Sequence, residues 1–201
     1  MRWTGLLAVC LLLPACASSS PSVGSRSMEG AYIEAGGLYG VEMFRPGYPL
    51  SDTVNSGVGG AFRVGYRGET DTAIELFTDD ARGFELEYPT GENTRLEIRS
   101  LGVAGKFYFV EGDVQPYLLA GVGWASLHFS RRSSFDPITA RTFETPYAGA
   151  NDSFFMRGGL GCEVHFNDTF GAFLEANYNL MAKHLREFDH ADGIVGLLVR
   201  F

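Results

Sequence analysis

Apolar and polar side chains alternate along most of this chain with a period of two. The final stretch, IVGLLVRF, puts Val195, Leu197, Val199 and Phe201 on one parity and Ile194, Gly196, Leu198 and Arg200 on the other. A helix would space its apolar residues near 3.6 and a loose tail would be polar, so this spacing predicts a strand held against a neighbour. Segments of the same kind run over Ala31 to Glu42, Gly57 to Tyr66, Thr72 to Phe77, Thr94 to Phe109, Gln115 to Phe129, Ser153 to Phe166, Thr169 to Ala182 and Ala191 to Phe201. They predict about eight strands, most of them near the roughly 9 to 11 residues that cross a bilayer at a tilt.

The connections alternate in length. MFRPGYPLSDTVNS, TDDARGFELEYPTGEN, SRRSSFDPITARTFETPYAGAND and KHLREFDH are long and polar, whereas RGETD, VEGDV and ND are tight turns. Long loops at one end and short turns at the other predict an all-β, eight-stranded antiparallel up-and-down transmembrane barrel, with both termini on the short-turn side.

Charge then separates the two faces. One parity carries Ile33, Tyr39, Phe62, Val64, Ile74, Leu76, Leu101, Val103, Leu118, Val122, Trp124, Met156, Leu160, Leu174, Leu180 and Leu197, with no charge through its central band. The other carries Glu34, Arg63, Glu75, Lys106, Arg157, Glu163, Glu175 and Arg200 among glycines such as Gly36, Gly102, Gly121, Gly123, Gly159 and Gly161. Lipid accepts the first face and a narrow lumen the second, the reverse of a soluble lipocalin-type barrel. An eight-stranded barrel has an interior that side chains just fill. The eight inward charges therefore predict a charge plug on the short-turn side, with a roomier, glycine-lined vestibule above it.

The start of the chain sets the compartment. MRWTGLLAVCLLLPACASSS has a basic residue, Arg2, a short apolar run and then small residues, the pattern of an export signal. Two processing readings stand: Ala15-Cys16-Ala17 fits ordinary signal cleavage, while Leu13-Pro14-Ala15-Cys16 resembles a lipobox that would make Cys16 a lipidated first residue. The expected organisation is an export signal over residues 1–17, a Ser-rich linker over 18–28 and a barrel over 29–201. The cysteines are Cys10, Cys16 and Cys162, so the exported chain keeps no obvious disulfide pair. With 24 Asp plus Glu against 16 Lys plus Arg, the balance argues against a nucleic-acid partner.

LGVAGKFYFVEGDVQPYLLAGVGWA, the later GGLGCEVHFND and the terminal aromatic together resemble the small outer-membrane β-barrels grouped around the OmpA transmembrane domain, OmpX and OmpW. The ending is also similar to their assembly signal through Gly196, Val199 and Phe201, although Ile194 stands where a polar residue is usual. The resemblance implies the outer membrane of a Gram-negative-type bacterium, with outer-membrane lipids and the barrel-assembly machinery as partners. Fold does not settle function, because such barrels include adhesins, tethers, small-solute pores and lipid-modifying enzymes.

The functional expectation is a structural or surface-exposed protein without a cofactor. The alternatives are an OmpW-like passage for small apolar molecules and a lipid-modifying enzyme. Lipid A deacylases use a His-x-Ser pair on the seventh strand, and Asn177 and Asn179 stand in the equivalent stretch here, so the nucleophile and base are missing. His128-Phe129-Ser130 reads as a pair beside a loop, and His184, Asp189 and His190 read as a polar loop before a metal site. GVGG and GGLG sit in strands with no following Lys-Ser/Thr, so neither is a phosphate loop.

Overall fold

The computed structural model describes residues 28–42, 56–69, 71–87, 93–130, 150–182 and 189–201. The export-signal expectation, Cys16 and His184 lie outside them. Eight strands form one closed antiparallel barrel: β1 (Gly30–Glu42), β2 (Ser56–Arg67), β3 (Thr72–Glu87), β4 (Asn93–Tyr108), β5 (Val114–Ser130), β6 (Ala150–His165), β7 (Phe170–Met181) and β8 (His190–Arg200). Each strand pairs with its sequence neighbour, and β8 closes on β1 with Ala35 opposite Leu197. The Phe201 N–H donates to the Ala31 carbonyl at 2.9 Å, so the end of the chain is held in the ladder. Closure leaves no unpaired edge in a medium without water to satisfy one.

The apolar parity points outward throughout. Val64, Leu76, Leu101, Leu118, Met156, Leu174 and Val195 are exposed, while Glu34, Arg63, Glu75, Lys106 and Glu175 are buried in the lumen. The outer surface is thus a hydrocarbon-compatible band around a polar centre.

Two expectations need correction. β3 does not stop at Phe77 but runs to Glu87, and what reads as a long loop from Thr78 is mostly strand. Its pairing with β4 shifts register between Ala81 and Phe84, where Gly83 takes a φ of 90° that a side chain would disfavour. The stretch hides from periodicity because both of its faces carry polar groups: Asp79 is buried inside, while Asp80 and Arg82 point out. The second correction concerns the inward glycines, which do not line an open vestibule. At several of them rings occupy the space that the missing side chain leaves, while Gly36, Gly121 and Gly159 abut backbone or the side chains of Ala104 and Asn177. A Cβ at Gly123 would stand 2.7 Å from Phe155, one at Gly57 2.7 Å from Phe84, and one at Gly65 or Gly161 would strike Tyr32 or Tyr117. Toward the long-connection end the lumen is filled by Phe84, Leu96, Ile98 and Leu127, all buried.

Candidate functional site

The strand register brings the inward charges of non-neighbouring strands to one depth. Lys106 on β4 reaches Glu34 on β1 at 2.7 Å, Glu75 on β3 at 3.1 Å and Glu163 on β6 at 3.3 Å. Arg63 on β2 crosses to Glu175 on β7 at 2.7 Å and lies 3.4 Å from Glu75, 3.8 Å from Asp79 and 3.9 Å from Glu34. Two cations thereby tie together five carboxylates from four other strands.

Three tyrosines complete this layer. Tyr32 donates its hydroxyl to Glu75 at 3.1 Å, Tyr108 to Glu163 at 2.7 Å and Tyr117 to Glu175 at 2.9 Å. The Lys106 ammonium also lies 4.7 Å from the centre of the Tyr117 ring, within cation–π range. Taking charges out of water costs several kcal/mol per ion, roughly, and is tolerable only where the spare lone pairs and protons are engaged. The Tyr117 hydroxyl engages the Glu175 oxygen that Arg63 leaves open, while Tyr32 and Tyr108 share with Lys106 the oxygens of Glu75 and Glu163 that it contacts.

A second layer lies nearer the long-connection end. Arg157 pairs with Asp79 at 2.6 Å and donates to Asn179 at 2.8 Å, and its guanidinium stacks 4.2 Å from the centre of Phe77. Asn179 and Asn177 both donate to Asp192, at 2.5 and 2.9 Å, and Asn177 also donates to Glu175 at 2.7 Å, joining the layers. At the short-turn end Arg67 bonds Gln115 and stacks 3.8 Å from the centre of Tyr108. There His165 and Arg200 approach Glu163 at 3.3 and 4.0 Å.

All eight residues singled out from the sequence are buried in the lumen, and the ion pairs connect them. Sequence reasoning missed Asp79, assigned to a loop, and Arg67, one residue past the expected end of its strand. It also missed Asp192, Asn177, Asn179, Gln115, His165 and the three tyrosines. Parity alone would have found most of these, since Asp192 shares the face of Arg200 and the two asparagines that of Glu175.

The other candidate groups sit apart. Asn177 and Asn179 are consumed by the network, His128 is exposed on the outer face near the long-connection end, and the side chains of Phe129 and Ser130 lie outside the described set. Asp189 accepts from the Met181 N–H at 2.9 Å, and His190 is buried. Among the described residues no three His, Cys, Asp or Glu side chains are placed to hold a metal ion. The arrangement is a cross-brace: it ties strands to one another across the lumen.

The profile of the outer membrane protein beta-barrel domain matches residues 8–201. No curated protein matches the chain. Among solved structures the chain is similar to neisserial surface protein A, with 15% identity over 86% of this chain and 97% of that one and a TM-score of 0.63. It is similar to Ail, the attachment invasion locus protein of Yersinia pestis in complex with the heparin analogue sucrose octasulfate, with 17% identity, coverage of 86% and 99% and a TM-score of 0.56. OprG from Pseudomonas aeruginosa matches at 13% identity, coverage of 86% and 96% and a TM-score of 0.56. At these identities the likeness is one of fold.

Proposed function

The chain belongs to the outer membrane protein β-barrel domain family, and from that premise we propose that it is a non-enzymatic, surface-exposed barrel that does not conduct. The observation that supports this is the network of Arg63, Lys106 and Arg157 with their acids, which crosses the lumen between strands that are not neighbours. A barrel of this size has no room for a solvated channel beside such a network. Its work then falls to the connections between β1 and β2, β3 and β4, β5 and β6, and β7 and β8, which all leave from one end. Gly196, Val199 and Phe201 serve as the signal read by the barrel-assembly machinery, and outer-membrane lipids cover the apolar band. Purified folded protein in planar bilayers tests this reading: silence is expected, and a persistent wide channel would overturn it.

A second reading, passage of small apolar molecules, is favoured by the apolar filling of Phe84, Leu96, Ile98 and Leu127 above the ions. Faster uptake of an apolar probe by liposomes holding the protein, without ion conductance, would put it first.

A further inference from the structure

Two buried guanidiniums at the short-turn end lack an anion of their own. Arg67 on β2 and Arg200 on β8 are 3% and 6% exposed and lie near enough to repel one another. Arg67 donates to the neutral amide oxygen of Gln115 and rests its plane on the Tyr108 ring. Arg200 donates to the thioether sulfur of Met28, a weak acceptor, and its buried Nε has no hydrogen-bond partner. Glu163 comes no nearer to Arg200 than 4.0 Å, and its oxygens already face Lys106, Tyr108 and His165 at 3.3, 2.7 and 3.3 Å. Among the described residues no carboxylate hydrogen-bonds either guanidinium, and buried charges of one sign without a partner are costly.

The surface around them has the opposite sign. Glu29, Glu69, Asp71, Glu111, Asp113 and Asp168 are exposed at this end, and no Lys or Arg is exposed there among the described residues. The backbone ties two of the turns to the arginines. The Asp71 carbonyl accepts from the N–H of Tyr108, whose ring lies against Arg67, and the Gly112 carbonyl, next to Glu111, accepts from the Gln115 side chain. The turns that carry Asp71 and Glu111 thus border Arg67. A simple anion is drawn by the arginines and repelled by the turns, and a simple cation the reverse. A ligand that carries both charges satisfies both.

We infer that the short-turn mouth binds the free C-terminal carboxylate of a peptide that ends in a basic residue. The carboxylate takes the place of the Met28 sulfur on Arg200 and lies between the two guanidiniums, whose forks match its oxygens. The basic side chain turns back toward Glu69, Asp71 and Glu111. Short turns face the periplasm in barrels of this kind, so the partner is the end of a periplasmic peptide or protein. The site stands whether or not the lumen conducts.

The test uses the whole folded protein in detergent micelles and isothermal titration calorimetry. The probes are N-acetylated Ser-Gly-Ser-Lys with a free carboxylate, the same peptide as its C-terminal amide, and the free acid with norleucine in place of lysine. Wild type should bind the free acid about tenfold more tightly than the amide, the effect of one charge-assisted hydrogen bond. It should prefer lysine to norleucine about threefold, as for an exposed ion pair. R67Q/R200Q should bind acid and amide alike while keeping the heat-dependent gel mobility of a folded barrel. E69Q/D71Q/E111Q should lose the preference for lysine and keep that for the carboxylate. M28A keeps every charge and should bind the free acid more tightly than wild type, which decides the matter if the arginine variant does not fold. Equal affinity of wild type for acid and amide, an undiminished preference in R67Q/R200Q, or an M28A variant no tighter than wild type would overturn the proposal.

Discussion

The Lys106 ammonium lies 2.7 Å from the Glu34 carboxylate, although the two residues are 72 positions apart and stand on β4 and β1, which are not neighbours. The contact runs through the lumen. It ties opposite walls of the barrel together at a depth where water is excluded, so its loss is felt by every strand that shares the network.

Lys106→Glu should destabilise the barrel by about 3 to 5 kcal/mol, because it strands a new acid among Glu34, Glu75 and Glu163. Urea titration of the barrel refolded into micelles, followed by tryptophan fluorescence, measures this. A midpoint equal to that of wild type would show that the three carboxylates are not held by Lys106.

Tyr117→Phe removes the hydroxyl that donates to Glu175 at 2.9 Å and leaves that carboxylate oxygen buried. The expected cost is about 1 to 3 kcal/mol in the same titration. In the Glu175→Gln background the cost should shrink, since a neutral acceptor loses less, and a double-mutant cycle reads the coupling directly.

Gly57→Ala should cost about 1 to 3 kcal/mol, because its new methyl would stand 2.7 Å from the Phe84 ring and 2.9 Å from the Arg82 carbonyl. Gly105→Ala is the contrast: it faces outward, and the nearest group to its methyl is the Ala73 carbonyl at 3.8 Å. Stability there should be unchanged or slightly raised. Equal effects at the two positions would mean that ring packing against glycine does not brace the lumen.

Deleting Phe201 should lower the amount of protein in the outer membrane, since it removes both a 75% exposed ring on the lipid face and the N–H bonded to Ala31. Phe201→Ala keeps the backbone bond and should show a smaller loss. Immunoblots of outer-membrane fractions decide it, and unchanged abundance in the deletion would make the terminal aromatic incidental to assembly.

Period-two alternation was enough to read eight strands, their two faces and the closure of the last on the first. Each follows from local chemistry, because lipid admits no polar face and a barrel no free edge. The reading failed where that pressure ends. Past Thr78, β3 carries polar groups on both faces, and a strand with water on one side and a polar lumen on the other has no alternation to betray it. Asp79 was lost from the charge list for that reason, and with it the partner of Arg157.

Outside the register shift of β3, the sequence by itself determined which side chains enter the lumen, since parity along a strand is fixed by the pleat. Only the tertiary structure decided which of them meet. Arg63 joins Glu175 across 112 residues of chain and Arg157 joins Asp79 across 78, because the register of all eight strands sets the depth of every inward group. Depth also decided the role of the glycines. Parity placed them inside, and ring neighbours such as Phe84 and Phe155, whose heights depend on the closed ladder, turned the expected vestibule into packing.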